Sequence, residues 1–140
     1  MMKKIDHIGI AVKDLQDSLK VYGGIFGLKA TSMEEVPERG ARLVFLKIGD
    51  VKLELIEPYK PGEGPIGKFL EKRGEGLHHI TFEVEDITGE MKALSAAGME
   101  LVDREPRKGA EGTLTGFLLP KSAHGVLIEL KQYLDPSEPH

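Results

Sequence analysis

The chain repeats itself, and the repeat limits what it can fold into. Ile5-Asp6-His7-Ile8-Gly9-Ile10-Ala11-Val12-Lys13-Asp14 aligns with Leu77-His78-His79-Ile80-Thr81-Phe82-Glu83-Val84-Glu85-Asp86 at an offset of 72 residues. His falls on His, Val on Val and the capping Asp on Asp. Further on, Val51-Lys52-Leu53-Glu54-Leu55 aligns with Val126-Leu127-Ile128-Glu129-Leu130 at an offset of 75. A few loop residues account for the difference. Self-similarity on this scale is the mark of one supersecondary unit used twice.

The unit can be read from its periodicities. Residues 4–12 alternate as a strand, with Asp6, Ile8, Ile10 and Val12 on one face and Ile5, His7, Gly9 and Ala11 on the other. Asp14 is a helix N-cap, and a helix is predicted over about Leu15 to Phe26, stopped by Gly27. Gly23 and Gly24 should cost that helix about 1 kcal/mol each, and close packing is the one reason to expect them there. Thr31 to Gly40 is polar. Strands follow at Arg42 to Ile48 and Val51 to Ile56, joined by the hairpin signal Gly49-Asp50. Residues 59–76 form a linker with a short helix, Pro65 in its first turn and Gly74 past its end. The second unit begins at Leu77, and Asp86 caps a helix that ends at Gly98. Strands are predicted near Met99 to Asp103, Thr115 to Leu119 and Val126 to Lys131, with a basic loop from Arg104 to Gly112. The expected organisation is a first βαβββ module at 1–58, the linker at 59–76, a second βαβββ module at 77–132 and a disordered tail at 133–140. The expected fold is α+β. The two paired modules form one curved eight-stranded sheet around a metal cleft, with helices on the outer face.

Each unit carries a His on its first strand and a Glu on its last. Leu53 and Leu55 point away from Glu54, and Ile128 and Leu130 away from Glu129. A single strand His is commonly a packed residue, and a single strand Glu a solvated one. The same pair at the same place in both halves tells against that. If the halves pack about a pseudo-twofold axis, His7, Glu54, His79 and Glu129 can converge. Two imidazoles and two carboxylates suit one borderline divalent ion such as Co, Ni, Mn, Fe or Zn. The chain has no Cys, so thiolate ligands, disulfides and a Cys nucleophile are excluded. His78 sits in line with Ile80 and Phe82 and reads as a packing residue; His124 reads as a turn residue and His140 as a tail residue.

The formal charge of −4, with both signs mixed throughout, argues against a nucleic-acid surface. No apolar run approaches the ~20 residues of a membrane span. Met1 to His7 leads straight into a strand pattern, so no secretory leader is expected and the default location is cytoplasmic.

The segments 5–12, 53–55, 73–80, 106–112 and 120–130 resemble the vicinal-oxygen-chelate superfamily and, within it, the methylmalonyl-CoA epimerases. The likeness covers about residues 3 to 132. It implies His7, Glu54, His79 and Glu129 as metal ligands, one divalent metal (Co, Mn, Ni or Zn), an acyl-CoA substrate and a homodimer. It also implies metal-assisted removal and return of the proton between a thioester and a carboxylate. Epimerisation needs a base on each face of that carbon, and Glu129 and Glu54 are the candidates. Some epimerases carry a Glu base on the strand before Glu54, at what aligns with Arg42, and Arg42 cannot serve as one. Arg42 is either a ligand for the substrate carboxylate or a solvated strand residue. Arg104, Arg107, Lys108 and Lys121 are candidates for the CoA phosphates, or solvated loop charges. Competing readings are a glyoxalase-I-like isomerase and a metal-free binding protein of the bleomycin-resistance type. An extradiol dioxygenase fits less well, because its 2-His-1-carboxylate site leaves open the position Glu54 would fill.

Overall fold

The structure, a computed structural model, describes residues 1–109 and 112–135. Its strands are β1 (Met2–Ala11), β2 (Lys29–Ala30), β3 (Glu34–Val36), β4 (Ala41–Ile48), β5 (Val51–Pro58), β6 (Gly76–Val84), β7 (Arg107–Lys108), β8 (Thr113–Leu118) and β9 (Leu127–Tyr133). Its α-helices are α1 (Leu15–Leu19), α2 (Gly64–Arg73) and α3 (Ile87–Ala96). Among the described residues there are nine strands where the repeat predicts eight. By their contacts the residues divide into two compact units, His7–His78 and Met1–Asp6 with His79–His140.

In the unit His7–His78 the strand order is β2-β4-β5-β1, with β3 also on β4. β1 runs parallel to β5 and β4 antiparallel to it. One face of this unit buries Val12, Val44, Leu46 and Leu55 against Leu15, with Leu19 and Tyr22 packed on them. The other face buries Ala11, Ala41, Leu43 and Ile56 against Ile66, with Phe69 and Leu70 packed on them. The second of these is the face of His7 and Glu54, so α2 covers one end of it.

In the other unit the order is β6-β9-β8-β7, with β6 parallel to β9. Val84, Leu130, Ile87 and Met91 form its core, which Phe82 and Ile128 extend. Gly116 lies under α3, where a Cβ would sit 2.9 Å from the Met91 sulfur. Both capping aspartates act as the sequence requires. Asp14 accepts from the Asp17 amide at 3.0 Å and Asp86 from the Gly89 amide at 3.2 Å. Asp86→Ala is expected to lower unfolding free energy by about 1 kcal/mol, read as a lower urea midpoint at unchanged slope; an unchanged midpoint would contradict this.

Several local expectations are corrected. The helix predicted to reach Phe26 is α-helical only to Leu19 and continues as a π-helical turn over Lys20–Ile25. Close packing does not explain its glycines. A Cβ at Gly24 would meet nothing within 4 Å, and one at Gly23 would make an ordinary contact of 3.7 Å. The pair weakens α-propensity where the turn widens, and the Phe26 amide bonds the Val21 carbonyl at 2.8 Å. The polar stretch 31–40 holds β3 and a 3₁₀ turn at Pro37–Arg39, with β2 just before it. The strand predicted near Met99 to Asp103 is a single bridge, Leu101 to Leu118. The basic loop contains β7, paired with β8 through Arg107–Thr115 and Lys108–Leu114. Of the segment expected as a tail, Tyr133 closes β9 and residues 136–140 lie outside the described residues.

Candidate metal centre

The two units place their His–Glu pairs by the same register. In β1 and β5, Gly9 stands opposite Glu54, and His7 is two residues before Gly9. In β6 and β9, Thr81 stands opposite Glu129, and His79 is two residues before Thr81. Side chains two apart share a face of a strand, so each imidazole and its carboxylate are diagonal neighbours on one surface. His7 Nε2 lies 3.6 Å from Glu54 Oε1 in one unit, and His79 Nε2 lies 3.8 Å from Glu129 Oε1 in the other.

These distances are longer than a hydrogen bond. Two ligand atoms each about 2.1 Å from one ion lie roughly 3.0–3.4 Å apart at octahedral or tetrahedral angles. Each pair is therefore spaced for an ion with little adjustment. His7, Glu54 and His79 are buried, at 3%, 2% and 2% exposure. Nitrogen and carboxylate donors out of water are the donor set a borderline divalent cation takes. A buried carboxylate needs a cation or strong donors to offset its lost hydration.

The neighbours of the two Glu differ. Gly9 has no side chain to offer Glu54, whereas the Thr81 hydroxyl donates to Glu129 Oε1 at 2.6 Å. Glu54 instead faces Arg39, whose Nη1 lies 3.7 Å from Oε2. Phe45, opposite Glu54 in the β4–β5 ladder, stands edge-on to His7 at 5.4 Å between ring centres. Arg39 and the Thr81 donor were not legible as site residues. Nothing in the spacing of residues 31–40 distinguishes Arg39 from its polar neighbours.

Arg42 is opposite Glu57 in the ladder. Its side chain therefore leaves the strand on the face away from Glu54. There it lies 3.5 Å from Glu57, 3.6 Å from Glu35 and 4.7 Å from the Tyr59 ring centre. The β4 residues that share the Glu54 face are Ala41, Leu43, Phe45 and Lys47; Phe45, opposite Glu54, and Leu43 cannot carry a proton. Arg107 is bonded to Asp103 at 2.8 Å and Lys121 is paired with Glu100 at 3.0 Å. Lys108 is exposed on β7.

A second buried polar cluster was missed. Asp6, read as one of an apolar face, is 1% exposed, accepts from the Tyr133 hydroxyl and lies 3.8 Å from Lys131 Nζ. Burial, followed by the hydrogen bond to Asp6 and the charges of Asp6, Glu83 and Glu129, holds the Tyr133 phenol well above its ordinary range. The neutral phenol is thus favoured by folding. Its contribution is complete below the unfolded value of about pH 10 and is lost as pH rises beyond it. Tyr133→Phe is expected to flatten the alkaline loss of stability in urea unfolding at about pH 8 and pH 11; identical slopes in both proteins would contradict this.

The profile of the glyoxalase/bleomycin resistance protein/dioxygenase superfamily matches residues 6–117. The chain belongs to this superfamily. An uncharacterized protein of Bacillus subtilis, YqjC, is 43% identical over 92% of this chain and 91% of its own length. The ethylmalonyl-CoA/methylmalonyl-CoA epimerase of Cereibacter sphaeroides is 38% identical over 94% of this chain and 99% of its own. Among solved structures, a variant of Streptomyces coelicolor methylmalonyl-CoA epimerase in complex with 2-nitronate-propionyl-CoA superposes with a TM-score of 0.89. It is 36% identical and covers 99% of this chain and 100% of its own. The α+β fold expected from the repeat is that of these structures.

Proposed function

We propose that the chain is a methylmalonyl-CoA epimerase in which His7, Glu54, His79 and Glu129 hold one divalent ion. The observation that carries the reading is the identical placement of an imidazole and a carboxylate in each unit, two strand positions apart in register. The epimerase relatives at 38% and 36% identity over nearly the whole chain support the substrate.

The reaction asks for two things. The α-proton, between a thioester and a carboxylate, must leave one face and a proton must return to the other. The electron pair of the broken C–H bond is held meanwhile by the thioester oxygen. His7, Glu54, His79 and Glu129 would hold a divalent ion whose positive charge, when bound, would stabilise the developing enolate by several kcal/mol. Proton transfer falls to Glu129 and Glu54, one for each face. Each carboxylate acts while loosened from the ion: one takes the proton, and the other, protonated while free of the ion, returns one. Thr81 fixes the direction of Glu129 Oε1, and Arg39 offsets the charge of Glu54.

The test supplies (2R)-methylmalonyl-CoA and, separately, the glutathione hemithioacetal of methylglyoxal. Conversion of the first to its 2S form, with no turnover of the second, is the expected result. Turnover of the hemithioacetal alone would make the chain a glyoxalase-I-like isomerase. Turnover of neither would favour a binding protein.

A further inference from the structure

Resting on that reading, we infer that Lys52 receives the free carboxylate of the substrate and so selects thioesters of dicarboxylic acids over those of simple acids. Arg42, one of whose readings from the sequence was a ligand for that carboxylate, leaves the sheet on the other face. The face that carries His7 and Glu54 offers a different cation. Lys52 stands directly opposite His7 in the β1–β5 ladder and opposite Lys47 in the β4–β5 ladder. Residues opposite one another in a ladder share a face. Lys52 is also two residues before Glu54 on β5, which puts it on the Glu54 face by the period of the strand. Lys47 in turn stands opposite Lys29 of β2. The row across the four strands is therefore Lys29, Lys47, Lys52 and His7.

Like charges directly opposite one another lower the stability of a sheet, so the row is not explained by folding. Lys29 and Lys47 are exposed and Lys52 is half-buried. Repulsion from Lys47 turns the Lys52 ammonium out of its own row. It lies 5.3 Å from the centre of the Phe45 ring, where a cation is attracted to the ring face. Phe45 belongs to the next row, opposite Glu54. The same ring meets His7 edge-on at 5.4 Å. The charge of Lys52 is thus brought to the ring that borders both members of the His–Glu pair. Arg39, which also reaches this pair, faces Glu54 Oε2 at 3.7 Å and is committed there. In the proposed substrate the carboxylate sits on the carbon that gives up its proton, so its partner must stand beside the pair and not further out. Lys52 meets that condition, since its backbone is about 4.8 Å from that of His7 across the ladder.

The experiment compares Kd for methylmalonyl-CoA with Kd for isobutyryl-CoA, in which a methyl group replaces the carboxylate. Calorimetric titration gives both values for the wild type and for K52M, in proteins matched for metal content. K52Q takes the place of K52M if circular dichroism shows that K52M does not fold. A hydrogen bond between charged groups commonly contributes about tenfold or more to affinity. The wild type should therefore bind methylmalonyl-CoA at least about tenfold more tightly than isobutyryl-CoA. Loss of the ammonium should reduce that ratio about tenfold and leave the Kd for isobutyryl-CoA near that of the wild type. A wild type with no preference overturns the inference. So does a variant that keeps the wild-type ratio, including one that binds both thioesters equally less well, because Lys52 would then be a structural residue. The titrations need no turnover. A preference that the variant loses, in a protein that epimerises nothing, upholds the carboxylate site and sinks the function alone.

Discussion

His79→Ala is expected to lower α-proton exchange on methylmalonyl-CoA by about a thousandfold or more, the loss that follows from removing several kcal/mol of transition-state stabilisation. The imidazole is 2% exposed on β6, with its Nε2 facing Glu129 Oε1 at 3.8 Å. Neither Thr81 nor Glu83, the next residues on that face, offers a nitrogen in its place. The variant should lose its metal as well as its activity, and metal content separates that cause from misfolding. Far-ultraviolet circular dichroism should stay that of the wild type, because the β6–β9 ladder does not use the side chain. A folded variant that keeps the metal and exchanges within tenfold of the wild type would remove His79 from the site.

Glu129→Gln is expected to have the second largest effect, about 10²- to 10⁴-fold on exchange, the usual worth of a positioned acid–base group. The change is nearly isosteric. Its amide oxygen can still accept from Thr81, which now donates to Glu129 Oε1 at 2.6 Å. What is lost is the charge and the capacity to hold a proton. If the two Glu serve opposite faces, Glu129→Gln and Glu54→Gln should suppress exchange from opposite enantiomers first. Starting each variant from pure 2R and pure 2S substrate in heavy water reads this directly. Equal rates from both enantiomers, at wild-type level, in both variants would end the two-carboxylate scheme.

Much of this site was legible because strand residues have a period of two, and two repeats of one motif check each other. His7 with Glu54, and His79 with Glu129, could be placed on common faces from Gly9 and Thr81 and from the flanking leucines and isoleucines. The register that makes them diagonal neighbours follows from the parallel pairing of the first and last strand of each unit. What was not legible came from residues whose partners are distant in sequence. Asp6 looked like one member of an apolar face, but Tyr133 and Lys131 at the far end of the chain reach its carboxylate. Arg42 could be read from its position only as a ligand for the substrate carboxylate or as a solvated strand residue. A one-residue difference in facing puts it with Glu57 and leaves Leu43 on the Glu54 side. Short strands such as β2 and β7, two residues each, carry too little pattern to be seen before their partners β4 and β8 are known. The widening of α1 into a π turn was signalled by Gly23-Gly24, but propensity alone does not say which way a weakened helix departs.

The most direct test of the shared-ion account is to purify the chain, count divalent metal per chain by mass spectrometry, strip it with a chelator and measure deuterium uptake at the α-carbon of methylmalonyl-CoA before and after. The account predicts one ion per chain, loss of exchange on stripping and its return when a divalent ion is restored. Exchange that continues unchanged in metal-free, folded protein would contradict it.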